Sequence, residues 1–250
     1  LHSDTVENNQ RLFPRHLHSY YEFYLFLKGD VTYIIEDKSY EMKPYRLLFI
    51  RPYTYHFPLF LGNGQYRRIS MHFMATEESG GFLEELFKKY EVIDVEKYPE
   101  LMSIFEMLIK HGAALDRKKE FCLAESCLTQ LILTVDRVAG NVEVENTEFN
   151  PIIKRAITYI NQNIEKRISL EDLSENLYIS KNYLAKLFKR HFNIPIAAYI
   201  RNKQLLLADN MIRSGTSPTD VYLKCGFWDY SSFYRAYVKM FGRSPSTAKG

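Results

Sequence analysis

Cysteine is scarce. The 250 residues hold three, Cys122, Cys127 and Cys225, with no C-x-x-C pair among them. An odd count without metal-ligand spacing argues against a disulfide framework and predicts reduced thiols in a cytoplasmic protein. Cys225 falls on the core side of a short helix and is expected to behave as a small buried hydrophobe. Long apolar runs are missing too: none approaches the ~20 residues that a membrane-spanning helix needs, so no membrane partner is expected. No basic segment leads into an apolar one at the start, so no secretory leader is expected, although the chain begins at Leu1 rather than Met. What remains, 46% apolar and 25% charged residues, is the composition of a folded chain rather than a disordered one.

Charge is unevenly shared. Residues 147–250 carry sixteen Lys and Arg against eight Asp and Glu, a net of +8, while the rest carries seventeen against twenty-two, a net of −5. A cationic C-terminal part would attract phosphate backbones, and an acidic N-terminal part would not.

The length suits two domains. Residues 11–75 read as short strands. Tyr20 to Leu27 is followed by a Lys28-Gly29-Asp30 turn, and Val31 to Ile35 by a Glu36-Asp37-Lys38 turn. Leu47 to Ile50 ends at Pro52, and Arg67 to Phe73 alternates with Ile69, Met71 and Phe73 on one face. Such spacing predicts a small β-sandwich or barrel. From Gly81 the period becomes helical, in three stretches carrying Leu83 and Leu86, Leu101 and Leu108, and Leu123 to Val135. These amphipathic helices are expected to cap the barrel or pair two subunits into a homodimer. Ala139 to Asn150 is polar and unperiodic, as a linker is, and Asn150-Pro151 reads as the cap and first position of a helix. The expected fold is therefore α+β in two domains. Residues 1–80 form a small barrel, 81–138 a helical dimerisation or capping region, 139–149 a linker, and 150–250 an all-α domain.

That last domain contains one element twice. Ser169-Leu170-Glu171-Asp172 and Ser217-Pro218-Thr219-Asp220 are both Ser-x-x-acid starts, forty-eight positions apart, and Leu184, Phe188 and Phe192 recur as Phe233, Tyr237 and Phe241, forty-nine apart. Two short helices joined by a tight turn, repeated once, predict a tandem helix-turn-helix that reads double-stranded DNA. In the first copy Ser169 and Ser180 are expected to cap the two helices. The outward residues Lys181, Asn182, Lys186, Lys189 and Arg190 are expected to face DNA: Asn182 suits an adenine edge, Lys186 a guanine edge, and Lys189 and Arg190 phosphates. In the second copy Ser217 caps, Val221 and Cys225 face inward, and Ser231, Ser232, Arg235 and Lys239 are exposed. Arg235 is the strongest candidate for a bidentate guanine contact. Between the copies, Pro195 to Arg213 reads as a helix of about 27 Å. That length would set the two readers about 34 Å apart, one duplex turn.

The string Gly226-Phe227-x-Asp229-x-Ser231-x-Phe233-x-Arg235-x-Tyr237-x-Lys239-x-Phe241-Gly242-x-Ser244-Pro245 resembles the signature of AraC/XylS-type transcriptional regulators. The resemblance covers about 100 C-terminal residues and implies two helix-turn-helix units joined by a long helix, with RNA polymerase as a further partner. Three positions depart from it: Asn193 where Gly is usual, Gln204 where Arg is usual, and Ala248-Lys249 in place of an aromatic-basic pair. The N-terminal half is similar to the cupin sensor domain common in that family, through His16-x-His18-x-x-x-Glu22, then Gly29, and Pro52-x-x-x-His56.

His16, His18 and Glu22 are expected on one face of a single strand, with His56 on a later one, and in cupin enzymes such a set holds a metal with open positions. The second motif is degraded, with Tyr45-Arg46 where Gly-Asp is expected and Phe60 where Asn often follows. The expectation is therefore no metal cofactor and no catalysis, with a bound metal as the alternative. Inward residues of the barrel, His18, Glu22, Tyr24, Tyr33 and His56, are candidates to touch a small-molecule effector such as a sugar or another small organic molecule. The resulting reading is a DNA-binding transcriptional regulator under effector control. A metal-dependent cupin enzyme with a helical tail, or a regulator governed by a protein partner, are the rivals. Effector, operator, and activation versus repression stay open.

Overall fold

The Tyr21–Lys28 strand is apolar on both sides, and its two faces go to different places. Phe23 and Leu25 pack with Leu83, Phe87, Leu101 and Leu131, whereas Tyr24 and Phe26 pack with Val31, Tyr33, Tyr40 and Tyr66. A strand covered on both faces loses the polar alternation of a half-exposed one, which is why it reads as a continuous apolar run. The computed structural model describes residues 2–7, 13–62, 64–111, 115–138, 147–148 and 150–248. Most of the expected 139–149 linker lies outside them. The described chain divides into two compact units, with the main division between Thr147 and Glu148.

The first unit holds strands β1 (His2–Glu7), β2 (Tyr21–Lys28), β3 (Val31–Ile35), β4 (Lys38–Glu41), β5 (Arg46–Ile50), β6 (His56–Phe60), β7 (Gln65–Phe73) and β8 (Val92–Asp94). It also holds helices α1 (Gly80–Lys89), α2 (Pro99–His111) and α3 (Arg117–Val138). A two-residue strand, β9 (Thr147–Glu148), falls at the division. One sheet runs β1-β7-β2-β5-β8 and the other β6-β3-β4-β9. The expected closed barrel is therefore corrected to two open sheets. Among the described residues no ladder joins them, and β6, an edge strand, carries Pro58, which has no N–H to extend a ladder. The expected helices are present. Leu83, Leu86 and Phe87 of α1, Leu101, Ile104, Phe105 and Leu108 of α2, and Cys127, Leu131 and Val135 of α3 are buried against the first sheet. Phe82, beside Leu83 in α1, is exposed.

The second unit holds α4 (Pro151–Gln162), α5 (Leu170–Leu177), α6 (Lys181–Phe192), α7 (Ile196–Arg213), α8 (Pro218–Lys224) and α9 (Tyr230–Phe241). Asn150 caps α4 through Ile152 N, with Pro151 at the first position. Ser169 and Asp172 form a reciprocal capping box on α5, with bonds of 3.0 and 2.9 Å. The repeat extends to backbone dihedrals. The α5–α6 turn passes through Tyr178 at φ +57° and the α8–α9 turn through Gly226 at φ +72°, forty-eight positions on. Asn193 (φ +56°) and Gly242 (φ +67°) end α6 and α9 in the same left-handed geometry. Asn193 thus does the work of the usual Gly, as a short polar side chain allows. The caps are less alike than expected. Ser217 makes no capping bond to α8, since its hydroxyl lies 2.7 Å from Thr219 Oγ1.

Gly226 is required on two counts. Besides its positive φ, an added Cβ would lie 2.4 Å from the Lys166 carbonyl oxygen and 2.5 Å from Gln204 Nε2. Gly226→Ala is expected to cost about 2–4 kcal/mol in urea unfolding of the full chain. Cys225 is fully buried, and burial followed by the nearby Glu165 charge pushes its thiol up to about 12, whereas Cys122 is exposed. Iodoacetamide at pH 8 should therefore label Cys122 in the folded chain and reach Cys225 only on unfolding. Because the folded value is the raised one, the stability that Cys225 contributes is complete below the free thiol's ordinary value. It is lost as pH rises toward about 12, so a urea midpoint that rises over that range would contradict the assignment.

Candidate nucleic-acid interface and sensor cluster

In the first helix-turn-helix, Leu184, Leu187, Phe188 and Phe192 are buried, and this amphipathic division turns the opposite face of α6 to solvent. Lys181, Asn182, Lys186, Lys189 and Arg190 are all exposed there, as expected. Ser180 starts the helix by accepting a bond from Tyr183 N at 3.3 Å. Lys181 is not idle in the isolated chain: its ammonium lies 2.5 Å from Glu171 Oε1 on α5, an exposed pair that phosphate would have to displace. Tyr178 and Tyr183, which the sequence reading did not single out, are also exposed beside this helix.

In the second, Phe233 and Tyr237 anchor α9 while Ser231, Arg235 and Lys239 are exposed. Asp229 caps the helix, accepting from Ser232 N at 2.8 Å, and the Ser232 side chain, followed by that backbone bond, holds its carboxyl below the usual carboxylate range. Ser232 is half-buried, with its N–H committed to the cap and its hydroxyl 3.4 Å from Arg235 Nη2. It is the least available of the expected contacts. The long, weak bond leaves the Arg235 guanidinium able to swing outward.

A cleft of about 510 Å³ opens beside α9. Arg235 and Lys239 form one wall, with Arg201 of α7 and Arg167 of the segment before α5, over a floor that includes Ile200 and Phe227. Trp228 lines it and is 76% exposed, with the Arg167 guanidinium 4.5 Å from its ring centroid. Arg167, Arg201 and Trp228 were not among the expected site residues. They come from three separate stretches of chain, and no periodic pattern joins them.

The first unit brings most of the sensor candidates together. Glu22, Tyr24, Tyr33 and His56 are buried, as is His18. Glu22 Oε2 lies 3.3 Å from His56 Nε2 and Glu22 Oε1 3.3 Å from His72 Nε2. Ser70 donates its hydroxyl to Glu22, and the Tyr24 and Tyr66 hydroxyls hydrogen-bond each other. Tyr24 and Tyr33 sit 4.5 Å apart between ring centroids. Burial, reinforced by the Glu22 charge, holds the Tyr33 phenol well above its ordinary value, so it stays a neutral hydroxyl. Ser70, His72 and Tyr66 were missed. The alternation of β7 could have found all three, because Tyr66, Ser70 and His72 occupy the face opposite Ile69, Met71 and Phe73, and Ser70 and His72 pair with Tyr24 and Glu22 of β2.

The expectation that His16, His18 and Glu22 share one strand is corrected. β2 begins at Tyr21, and His16 instead makes an isolated bridge with His56. That bridge brings the His16 and His56 rings within 4.2 Å between centroids, while His18 falls with the second unit. His16 Nδ1 donates to the Pro14 carbonyl at 2.9 Å and His56 Nδ1 to the Thr54 carbonyl at 2.8 Å.

Comparison with known proteins places these two units. A model of the AraC-like ligand binding domain matches residues 5–132, and a helix-turn-helix domain model matches residues 173–249. The chain is 31% identical over 125 residues to the XylDLEGF operon transcriptional activator 2 of Pseudomonas putida, covering 47% of this chain and 80% of that protein. It is 20% identical over 250 residues to the HTH-type transcriptional activator RhaS of Yersinia pseudotuberculosis, covering 94% and 89%. A solved transcriptional regulator with an AraC-type DNA-binding domain, from Chromobacterium violaceum, aligns over 40% of this chain and 89% of its own with 24% identity and a TM-score of 0.37.

Proposed function

The chain belongs to the AraC/XylS family of transcriptional regulators, and from that membership we propose how it acts. Its second unit reads two successive major grooves of double-stranded DNA with α6 and α9, and its first unit responds to a small organic effector. The observation that carries the DNA reading is the pair of capped, amphipathic helices with cationic exposed faces in the half of the chain whose net charge is +8. Lys181, Asn182 and Lys186 on α6 and Ser231, Arg235 and Lys239 on α9 approach base edges or flanking phosphates, and Lys189 and Arg190 hold the backbone. Ser232 contributes through its cap instead of a base.

The effector contacts Glu22, His56, Tyr24 and Tyr33 of the first unit. A carboxylate among neutral hydroxyls and aromatic rings suits a polyol or another small hydrogen-bonding molecule. Binding there changes how two copies of the chain, paired through α1–α3, present their readers to DNA and to RNA polymerase in the cytoplasm. The names of the related proteins support activation as the outcome. No helix among the described residues is long and apolar enough to cross a membrane.

A metal reading of the histidine cluster has one specific support. A carbonyl oxygen can only accept, so Nδ1 of His16 and of His56 must carry the proton, and this arrangement turns Nε2 outward as a ligand. His16 and His56, with Glu22 beside them, would hold a divalent transition ion. The ion would supply Lewis acidity or a structural cross-brace between the segment before β2 and β6. Purified chain should then carry close to one such ion per copy by elemental analysis, falling to background in His56→Ala. Background levels in the unaltered chain would leave these residues to the effector alone.

For the DNA reading, duplexes selected by the full chain from a random pool should share two sub-sites. Arg235→Ala should cost about 1–3 kcal/mol at one base position and relax preference there. Lys189→Ala should weaken all duplexes alike and lower the salt slope by about 0.9. Unchanged sequence preference in Arg235→Ala would refute the base contact.

A further inference from the structure

The cleft beside α9 has a composition that its neighbours do not require. Among the described residues its lining includes three arginines and a lysine and no Asp or Glu. Four cations turned toward one space repel each other unless an anion lies among them. The largest apolar side chain in the cleft, Trp228, is left 76% exposed, with a guanidinium over its ring.

The arrangement is also held firmly. Gln204 of α7 is buried, and its Nε2 donates to the Lys166 carbonyl at 3.0 Å and to the Ile164 carbonyl at 3.3 Å. The Gly226 turn presses against that same Lys166 carbonyl, where not even a Cβ would fit. The residue after Lys166 is Arg167, and the second after Gly226 is Trp228. The Gln204 amide and the Gly226 turn therefore pin both side chains in register, so the pair is positioned before any ligand arrives.

We propose that this cleft is a second DNA-contact surface. One strand of the duplex lies across it with successive phosphates on Arg167 and Arg201 and a sugar edge against the Trp228 indole. The inference rests on the reading of α9 as a DNA reader and deepens it. The wall formed by Arg235 and Lys239 is continuous with the exposed face of that helix, so a strand bordering the groove that α9 enters passes through the cleft. A polyanion running along the wall meets cations from a loop and two helices in turn. A compact carboxylate would neutralise one or two of them and leave the others opposed. Indole faces suit the apolar edge of a nucleotide and tolerate any sequence, and the guanidinium stacked on Trp228 adds to that platform.

The test uses the full chain, a duplex that it selects from a random pool, and a shuffled duplex, each at several salt concentrations. Arg167→Ala and Arg201→Ala should each weaken both duplexes by about tenfold, the loss of one charge-assisted contact. Each should also lower the salt slope by about 0.9. Arg167→Lys and Arg201→Lys should keep the slope, which separates a charge effect from misfolding. Trp228→Ala should weaken binding without altering the slope, and Trp228→Phe should preserve it.

If the Ala variants keep wild-type affinity and slope while Arg235→Ala still loses sequence preference, the cleft proposal falls and the α9 reading stands. If the unaltered chain selects no duplex at any salt, both fall. Benzoate serves as the competing probe. Binding of benzoate that Arg201→Ala abolishes, with the DNA salt slope unchanged, would make the cleft a site for a small carboxylate and overturn the proposal.

Discussion

Asp209 on α7 is 3% exposed, and three donors converge on its carboxylate: the Tyr237 hydroxyl from α9, Arg213 Nε at 2.8 Å and Arg243 Nη2 at 2.5 Å. A carboxylate so deeply buried would be costly to leave alone, by several kcal/mol. Each donor is thus held as firmly as it holds. Burial and the carboxylate together keep the Tyr237 phenol far above its ordinary value, so it remains a donor across any working pH. Tyr237 is also a core residue, packed with Leu205, Ala208, Ile212, Val221, Cys225 and Phe233. One polar hub inside an apolar cluster therefore sets the angle of the second recognition helix on the linking helix. Five residues earlier on α7, Gln204 ties down the segment that leads into α5. Both reading units take their position from a single continuous helix.

The account of function follows from that constraint. Isolated short helices of seven to twelve residues are marginal in water, and the caps and the buried faces make them persist. Capped and anchored, α6 and α9 present cationic faces whose separation is set by an eighteen-residue rod. On the proposed reading, sequence preference comes from side chains on the exposed faces of these helices, and affinity from the lysines and arginines around them. A sensor unit could regulate such a reader without changing it, by governing where and with which second copy it meets DNA.

Much of this was legible in sequence because it is local. The Ser169–Asp172 box, the Asn150-Pro151 start, and the burial of Leu184, Phe188, Phe233 and Tyr237 all follow from spacings of three and four residues. Even the left-handed end of α6 at Asn193 was readable from side-chain size. Residues brought together across the fold were not. Arg167, Arg201 and Trp228 share a cleft because of a glutamine amide and a glycine turn, and neither leaves a periodic trace. The histidines were placed on one strand by alternation, but β2 starts five residues after His16, which pairs with His56 instead. Closure of the sheets was likewise beyond local pattern, since it depends on which strands end at an edge. Ser217 shows the limit of a motif: the residue types of a cap are present, and the hydroxyl is spent on Thr219.

The most direct test of the account varies the spacing between the two sub-sites of a selected duplex and measures affinity of the full chain. A rod of fixed length demands one separation. Inserting five base pairs should reduce binding to the level of an unrelated duplex, and inserting ten, which restores the helical face but adds about 34 Å, should not recover it. Affinity that is indifferent to spacing, or that returns at ten base pairs, would show that the two units read DNA independently and would contradict the central role given to α7.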